Sequence, residues 1–349
     1  MADRNTPFIF NEWYVAAFAA DVGRELLARK LLGKNVVMFR TEQGRAVALD
    51  DRCAHRSFPL SEGTLDADTV VCGYHGFRYD ADGDCVEVPS MKVCPAAIGV
   101  RAYPLVERGP LLWIWLGDPA LVDPGAIRDT TFMESDAWVC STGYLWLAGN
   151  YVGLHENLMD LTHLSYVHAK SFGTPEYAQA PYKAWLDEGH YKVTRSVIPT
   201  VLPPVWGDPS GLSEVATAAR VATSEFLSPA FHQVGTSFYD SAVPEDVRTV
   251  CSIRTAHLPT PETHETTHYF IVHGRDFALA DPGVTQVMHD RLLIAFREDV
   301  EALGRLERVL QETPADQLYE ISVASDGPGV AMRRHLLRRA LEEHNQTQA

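Results

Sequence analysis

The 349-residue sequence predicts an α+β fold in two parts, a β-rich N-terminal domain followed by a larger domain of antiparallel strands covered by helices. Three observations carry this. Residues 13–116 hold short β-branched and aromatic runs separated by Gly- and Asp-containing turns. Gly, Pro and Asp then gather between Gly117 and Gly125, where a domain boundary belongs. Beyond them, strand-like runs give way to a long amphipathic helical pattern. The domains are placed at 1–118 and 119–349.

Trp13-Tyr14-Val15-Ala16-Ala17 reads as an opening strand. Val36–Phe39 and Ala46–Leu49 flank Glu42-Gln43-Gly44, a hairpin signal. Gly76–Tyr79 and Cys85–Val88 flank Asp80-Ala81-Asp82-Gly83, another. Its glycine comes too early for a calcium loop and the downstream glutamate is missing, so it is a plain turn. Leu111–Leu116 is a buried strand. In the second domain residues 150–169 read as a helix. Tyr191–Val197, Ala219–Phe226, Thr249–His257 and Thr267–Val272 read as strands, interrupted by turns at Pro203-Pro204 and 207–211. Val284–Gln311 is a long amphipathic helix and Gly329–His344 a shorter basic one.

A formal charge of −16 with no basic stretch excludes a nucleic-acid partner. It suits docking of a basic redox partner as well as a plain solvated surface. No run approaches the roughly 18 apolar residues of a membrane span. The opening Met1–Thr6 lacks a signal-peptide core. Six cysteines without a secreted framework point to a reducing cytoplasm.

Two stretches carry chemistry. Cys53-Ala54-His55 and Cys72-Gly73-Tyr74-His75 each put one thiol and one imidazole on a short loop. Two thiolates and two imidazoles could make a zinc site. Zinc sites favour pairs of one kind, however, whereas one cysteine and one histidine per loop suit two adjacent irons of a [2Fe-2S] cluster. Cys85, Cys94, Cys140 and Cys251 read as buried or free thiols. The second stretch is Asn157-x2-Asp160-x2-His163-x4-His168. Two imidazoles and a carboxylate with open positions form the ligand set of a non-haem ferrous centre. On an ideal helix His163 and His168 lie about 140° apart, so both reach one point only if the helix bends or ends between them. Taken alone, such a pair is more often structural.

Together the motifs resemble the oxygenase component of Rieske non-haem iron oxygenases. The length, the opening strand and the Asn-Leu-Met-Asp-Leu run resemble the vanillate O-demethylase group, which contains dicamba- and toluenesulfonate-type monooxygenases. The resemblance implies an all-β Rieske [2Fe-2S] domain, then a catalytic helix-grip domain whose curved antiparallel sheet holds a long helix. It implies Cys53, His55, Cys72 and His75 as cluster ligands, and His163 and His168 as ligands of a mononuclear Fe(II). The third ligand is a carboxylate on the C-terminal helix. Asp299 shares the apolar stripe with Ala295, Phe296, Leu303 and Leu306, whereas Glu301 lies between Arg297 and Arg305 in an ion-pair setting and Glu298 sits between the faces. An acid facing a core is costly unless paired or metal-bound, which selects Asp299. Asp160 is implied as a bridge, accepting from His163 and from His75 of a neighbouring subunit. Asn157 is either a group near the iron that bonds water or a helix cap.

The same resemblance implies an O2-dependent monooxygenase acting on a small aromatic substrate, most simply by O-demethylation of a vanillate-like acid. Ring, methyl or N-methyl hydroxylation is the alternative. Electrons come from NAD(P)H through a separate flavin and iron–sulfur reductase, directly or by way of a ferredoxin, and the assembly is a homotrimer. Thr236, Phe238, His257, Ile271 and Asp290 fall in segments that line the substrate cavity in related enzymes, with His257 the best candidate for a polar contact. A pure Rieske electron carrier is the rival reading. The complete iron constellation in the second half speaks against it.

Overall fold

A computed structural model describes residues 6–348. Met1–Asn5, within the opening read above for a signal peptide, lie outside it. The chain divides into two compact units, Phe10–Ile127 and residues 128–348 together with 6–9. The segment 119–127, expected to open the second domain, packs with the first. Trp13 Nε1 donates to the Asp123 carbonyl at 2.8 Å and Arg108 Nη2 to that of Pro124 at 2.8 Å.

The first unit is all-β. Its strands are β1 (Trp13–Phe18), β2 (Leu27–Leu31), β3 (Lys34–Arg40), β4 (Ala46–Asp50), β5 (Thr64–Asp66), β6 (Thr69–Val71), β7 (Arg78–Tyr79), β8 (Cys85–Glu87), β9 (Leu105–Arg108) and β10 (Leu111–Trp115). They form three antiparallel sheets, ordered β1-β10-β9, β2-β3-β4 and β5-β6-β7-β8. Both predicted hairpins form, as β3–β4 and β7–β8. Between the last two sheets lies a core that includes Val37, Phe39, Leu60, Tyr79, Cys53 and Cys72.

The second unit is built on one seven-stranded antiparallel sheet, ordered β11-β17-β16-β15-β14-β13-β12. Its elements in chain order are β11 (Val139–Leu147), α1 (Tyr151–Met159), β12 (Tyr182–Asp187), β13 (His190–Val197), α2 (Pro204–Ser210), β14 (Ala218–Ser228), β15 (Phe231–Asp240), β16 (Cys251–Pro261), β17 (Thr267–Arg275), α3 (Pro282–Glu312) and α4 (Gly327–Gln348). Burial alternates along β13 and through most of β14, the period of a sheet with one covered face.

Three local readings change. The helix expected over 150–169 stops at Met159, because Asp160 is extended, with φ −106° and ψ 96°. Pro204–Ser210, read as turn, is a short helix: Pro204 occupies a first-turn position that needs no N–H, and Gly211 ends it at φ 73°. Strands β11, β12 and β15 were not read from the sequence. β12 is exposed throughout, so its sequence carries no alternation to detect.

Two clusters fix α1. Leu154 and Leu158 pack with Leu292 and Phe296 of α3 and with Trp206. Tyr151, Val152 and Met159 pack with Met332, Leu336 and Ala340 of α4. Burying one such side chain contributes about 1.5–3 kcal/mol, so α1 is held on both sides.

Candidate metal centres and cavity

Asp160 ends α1 and starts the next turn. Its Oδ1 accepts from Thr162 N at 2.9 Å, capping the 3-10 turn Leu161–Ser165. That turn carries His163, whose Nδ1 donates to the Asp160 main-chain carbonyl at 2.6 Å. The change from helix to tighter turn supplies the break that the histidine spacing requires. Gly173 closes the segment, donating its N–H to the His168 carbonyl at 2.9 Å. A Cβ at Gly173 would lie 1.7 Å from the Leu164 carbonyl oxygen, so no other residue fits there.

His163, His168 and Asp299 meet, each offering one ligand atom within 4.8 Å of the others. Asp299 Oδ1 lies 3.5 Å from His163 Nε2 and 3.2 Å from His168 Nε2. The carboxylate is 3% exposed, and its one amide partner is Asn157, which donates from Nδ2 to Oδ1 at 3.0 Å. Burial disfavours its charge, but the hydrogen bond and charge of His168 prevail and hold the carboxyl below its usual range. Each histidine is oriented through its Nδ1, His163 by a carbonyl and His168 by Glu298 Oε2 at 2.8 Å. Each Nε2 is therefore left for a metal. The donor set fits a ferrous ion with open positions.

Asn157 lies inside α1, and the cap is Asn150. The Asp160 carboxylate does not receive His163, which uses the main chain instead. It faces Arg195 Nη2 at 3.8 Å. Glu301 is exposed and pairs with Arg305, as read. Glu298 is the residue missed. It bonds His168 and the Ser171 hydroxyl, and no sequence pattern distinguishes it. Leu306 is exposed, so the apolar stripe of α3 ends before it.

In the first unit the two loops repeat one geometry. Cys53 N donates to Phe58 O at 2.8 Å and Ser57 N to Cys53 O at 2.9 Å; Cys72 N donates to Phe77 O at 2.8 Å and Gly76 N to Cys72 O at 3.0 Å. Ser57 and Gly76 turn each loop at φ 56° and 73°. Both cysteines are 2% exposed and both histidines are exposed. The imidazoles lie 4.6 Å apart, centroid to centroid. Buried thiols beneath exposed imidazoles fit a cluster with cysteines on one iron and histidines on the other. Tyr79 Oη approaches Cys53 Sγ at 3.2 Å.

Residues 12–104 match the Rieske [2Fe-2S] domain and residues 147–343 the vanillate O-demethylase oxygenase C-terminal domain. The chain belongs to the vanillate O-demethylase family of Rieske oxygenases. It is 35% identical to a putative toluene-4-sulfonate monooxygenase system iron-sulfur subunit of Comamonas testosteroni, over 96% of this chain and 97% of the other. It is 32% identical to the dicamba O-demethylase oxygenase component of Stenotrophomonas maltophilia, over 94% and 97%. Its fold matches dicamba monooxygenase bound to dicamba with a TM-score of 0.89 and 28% identity, over 97% of this chain and 99% of that one. The chain is thus the oxygenase component of a multicomponent monooxygenase, with a Rieske cluster, a mononuclear iron and an implied reductase partner. Among the described residues no helix is long and apolar enough to cross a membrane.

Beside the triad lies a cavity of about 60 Å3 whose wall runs from His168 and Asp299 through Leu158, Leu292 and Phe296 to Thr236, Thr255 and His257. Of the five candidate substrate residues, Thr236 and His257 line it. His257 Nδ1 bonds the Tyr269 hydroxyl, and burial lowers its pKa to about 3, so it is a neutral polar group. The other three candidates lie elsewhere. Phe238 stacks on Trp206 with centroids 5.3 Å apart, and Ile271 pairs opposite His257 in the core. Asp290 is exposed on α3 and accepts from Gln286 at 2.9 Å. Arg220, Tyr177, Trp206 and Phe172 also line the cavity and were not foreseen. Arg220 could have been: it shares the covered face of β14 with Ala222 and Ser224, where a charge is out of place.

Proposed function

We propose that this oxygenase component O-demethylates a methoxylated aromatic acid of vanillate type. The observation that carries the reading is a largely apolar cavity whose wall includes His168 and Asp299 of the triad. His163, His168 and Asp299 would hold the ferrous ion, and Cys53, His55, Cys72 and His75 the cluster. When bound, the cluster relays single electrons and the ferrous ion activates dioxygen. The chain's own residues do the rest. Glu298 and the Asp160 carbonyl keep both imidazoles turned toward the ion, Asn157 steadies the Asp299 carboxylate, and Leu158, Leu292 and Phe296 keep water from the reacting group.

For an aryl methyl ether the balance is one ether, one O2, two electrons and two protons in, and one phenol, one formaldehyde and one water out. The methyl carbon is hydroxylated and the resulting hemiacetal breaks its C–O bond to the former methyl carbon. Dicamba and vanillate O-demethylases among the relatives support this. The toluene-4-sulfonate monooxygenase relative supports a second reading, hydroxylation of an aromatic ring, methyl or N-methyl group of another small substrate. The electron supply is a flavin and iron–sulfur reductase oxidising NAD(P)H, with or without a ferredoxin, in the cytoplasm. The assembly is a head-to-tail homotrimer in which Asp160, a quarter exposed, bridges to His75 of the next copy.

The test is turnover by purified protein with a reductase, NADH and a panel of methoxy- and methyl-substituted aromatic acids. Equimolar formaldehyde and phenol support O-demethylation. Products that keep the methoxy group would remove it, and a hydroxylated product without formaldehyde would support the second reading.

A further inference from the structure

We propose that Arg220 is the specificity-determining residue of this cavity, its guanidinium receiving the carboxylate or sulfonate of an aromatic anion. The inference rests on reading the cavity as the oxygenase's substrate site.

Arg220 is 2% exposed and sits on the covered face of β14. Among the described residues its one hydrogen bond runs from Nη1 to the Phe172 carbonyl at 3.3 Å. No carboxylate among the described residues lies within ion-pair distance of it. The acid in its electrostatic reach, Glu176, already accepts from the Thr200 hydroxyl at 3.0 Å. Tyr177 and Trp206 present their rings to the guanidinium at 4.6 and 4.5 Å. Arg220 Nε, the Tyr177 hydroxyl and Trp206 Nε1 are all buried without a hydrogen-bond partner.

Three donors in one cluster, one of them cationic, lack an acceptor. A buried charge without a partner is costly, and guanidinium geometry matches a planar or tetrahedral oxyanion. The other buried arginines differ. Arg195 and Arg275 also keep guanidinium nitrogens without a partner, but Arg195 faces Asp160, Arg275 spends Nη2 on the Ala278 and Asp281 carbonyls, and neither lines the cavity. Among the described residues Arg220 is the one arginine or lysine of the wall, and His257 is neutral. The cavity of about 60 Å3 is smaller than the roughly 150 Å3 that takes up a benzene ring. A ring therefore enters only as lining side chains such as Phe172 and Trp206 give way.

The test is calorimetric binding to the anaerobic, iron-loaded holoenzyme with two matched pairs: para-methoxybenzoate and its amide, and para-toluenesulfonate and its sulfonamide. Each acid of a pair is ionised at pH 7 and its amide is neutral. In the native protein at least one anion should bind about 100-fold more tightly than its amide, and the pair with the larger gap identifies the oxyanion. Arg220→Gln should erase the gap while shifting amide binding less than about 3-fold. Arg220→Lys, which keeps charge and bulk, should retain part of it. Anion and amide binding alike, no binding of either anion, or an undiminished gap in Arg220→Lys overturns the proposal; should Arg220→Gln fail to fold, the native protein and Arg220→Lys still decide. Oxygen uptake separates the two readings. Turnover of the neutral amides without anion preference removes the Arg220 role and leaves the oxygenase intact. An anion gap that depends on Arg220, in an enzyme that turns over none of the panel, strikes the demethylase reading instead.

Discussion

Glu298 Oε2 lies 2.8 Å from His168 Nδ1, and the next residue, Asp299, sets Oδ1 3.2 Å from Nε2 of the same ring. Two successive acids of α3 thus address the two nitrogens of one imidazole, one orienting it and the other placed where it could share a metal with it. Glu298→Gln should keep iron but weaken its retention about 10–100-fold. Asp299→Ala should lose the mononuclear iron, while Glu301→Ala, altering an exposed pair, should not. Metal analysis after chelator challenge decides, and an iron-replete Asp299→Ala protein sinks the assignment.

The two metal sites draw on separate compact units, so they should fail separately. His163→Ala and His168→Ala should abolish turnover and mononuclear iron while leaving the visible spectrum of the cluster. Loss of that spectrum in a protein that still folds would contradict this division.

Because His163 leans on the Asp160 carbonyl rather than on its carboxylate, Asp160→Asn leaves that contact in place. Both metals should remain. The electron path proposed between subunits should slow by about 10–100-fold, read as cluster reoxidation in a single turnover with oxygen and substrate. Reoxidation at the native rate would reduce Asp160 to a helix-end cap.

Tyr79 Oη, 3.2 Å from Cys53 Sγ, donates to a sulfur that carries negative charge once ligated. That bond favours the reduced cluster, so Tyr79→Phe should lower its potential. A hydrogen bond worth about 0.5–1.5 kcal/mol corresponds to roughly 20–65 mV for one electron. Protein-film voltammetry measures it, and an unchanged or raised potential speaks against the bond.

Behind α1, His155 Nδ1 lies 3.2 Å from His232 Nδ1, and His232 Nε2 lies 2.7 Å from the Ser224 hydroxyl. Burial lowers His155 to about 4 and His232 well below its usual value. The unfolded chain, titrating near 6.5, then binds more protons than the folded one across that interval. Stability is complete above pH 6.5 and falls as pH drops through 4, by about 3 kcal/mol from His155 alone. Denaturant unfolding between pH 7 and 4 reads this directly. A flat or opposite slope would show that these rings are not buried neutral.

The sequence by itself determined the β-rich first unit and the long helix, and it put forward Cys53, His55, Cys72 and His75 as the candidate cluster residues, because hairpins and paired Cys/His loops are local patterns. It also singled out Asp299, since one acid on an apolar helical stripe is conspicuous whatever covers it. Tertiary structure decided the rest. Where α1 ends depends on Asp160, whose side chain suits a helix surface and a cap equally well. Glu298 became the partner of His168 only because chain 130 residues away arrives at α3. Thr236 and Phe238 share one strand, yet only Thr236 meets the cavity, because Trp206 of a proline-opened helix covers Phe238. Arg220 had the period-two signal of a buried position. What it lacked in sequence was any sign that Tyr177 and Trp206 would enclose it and leave its charge unanswered.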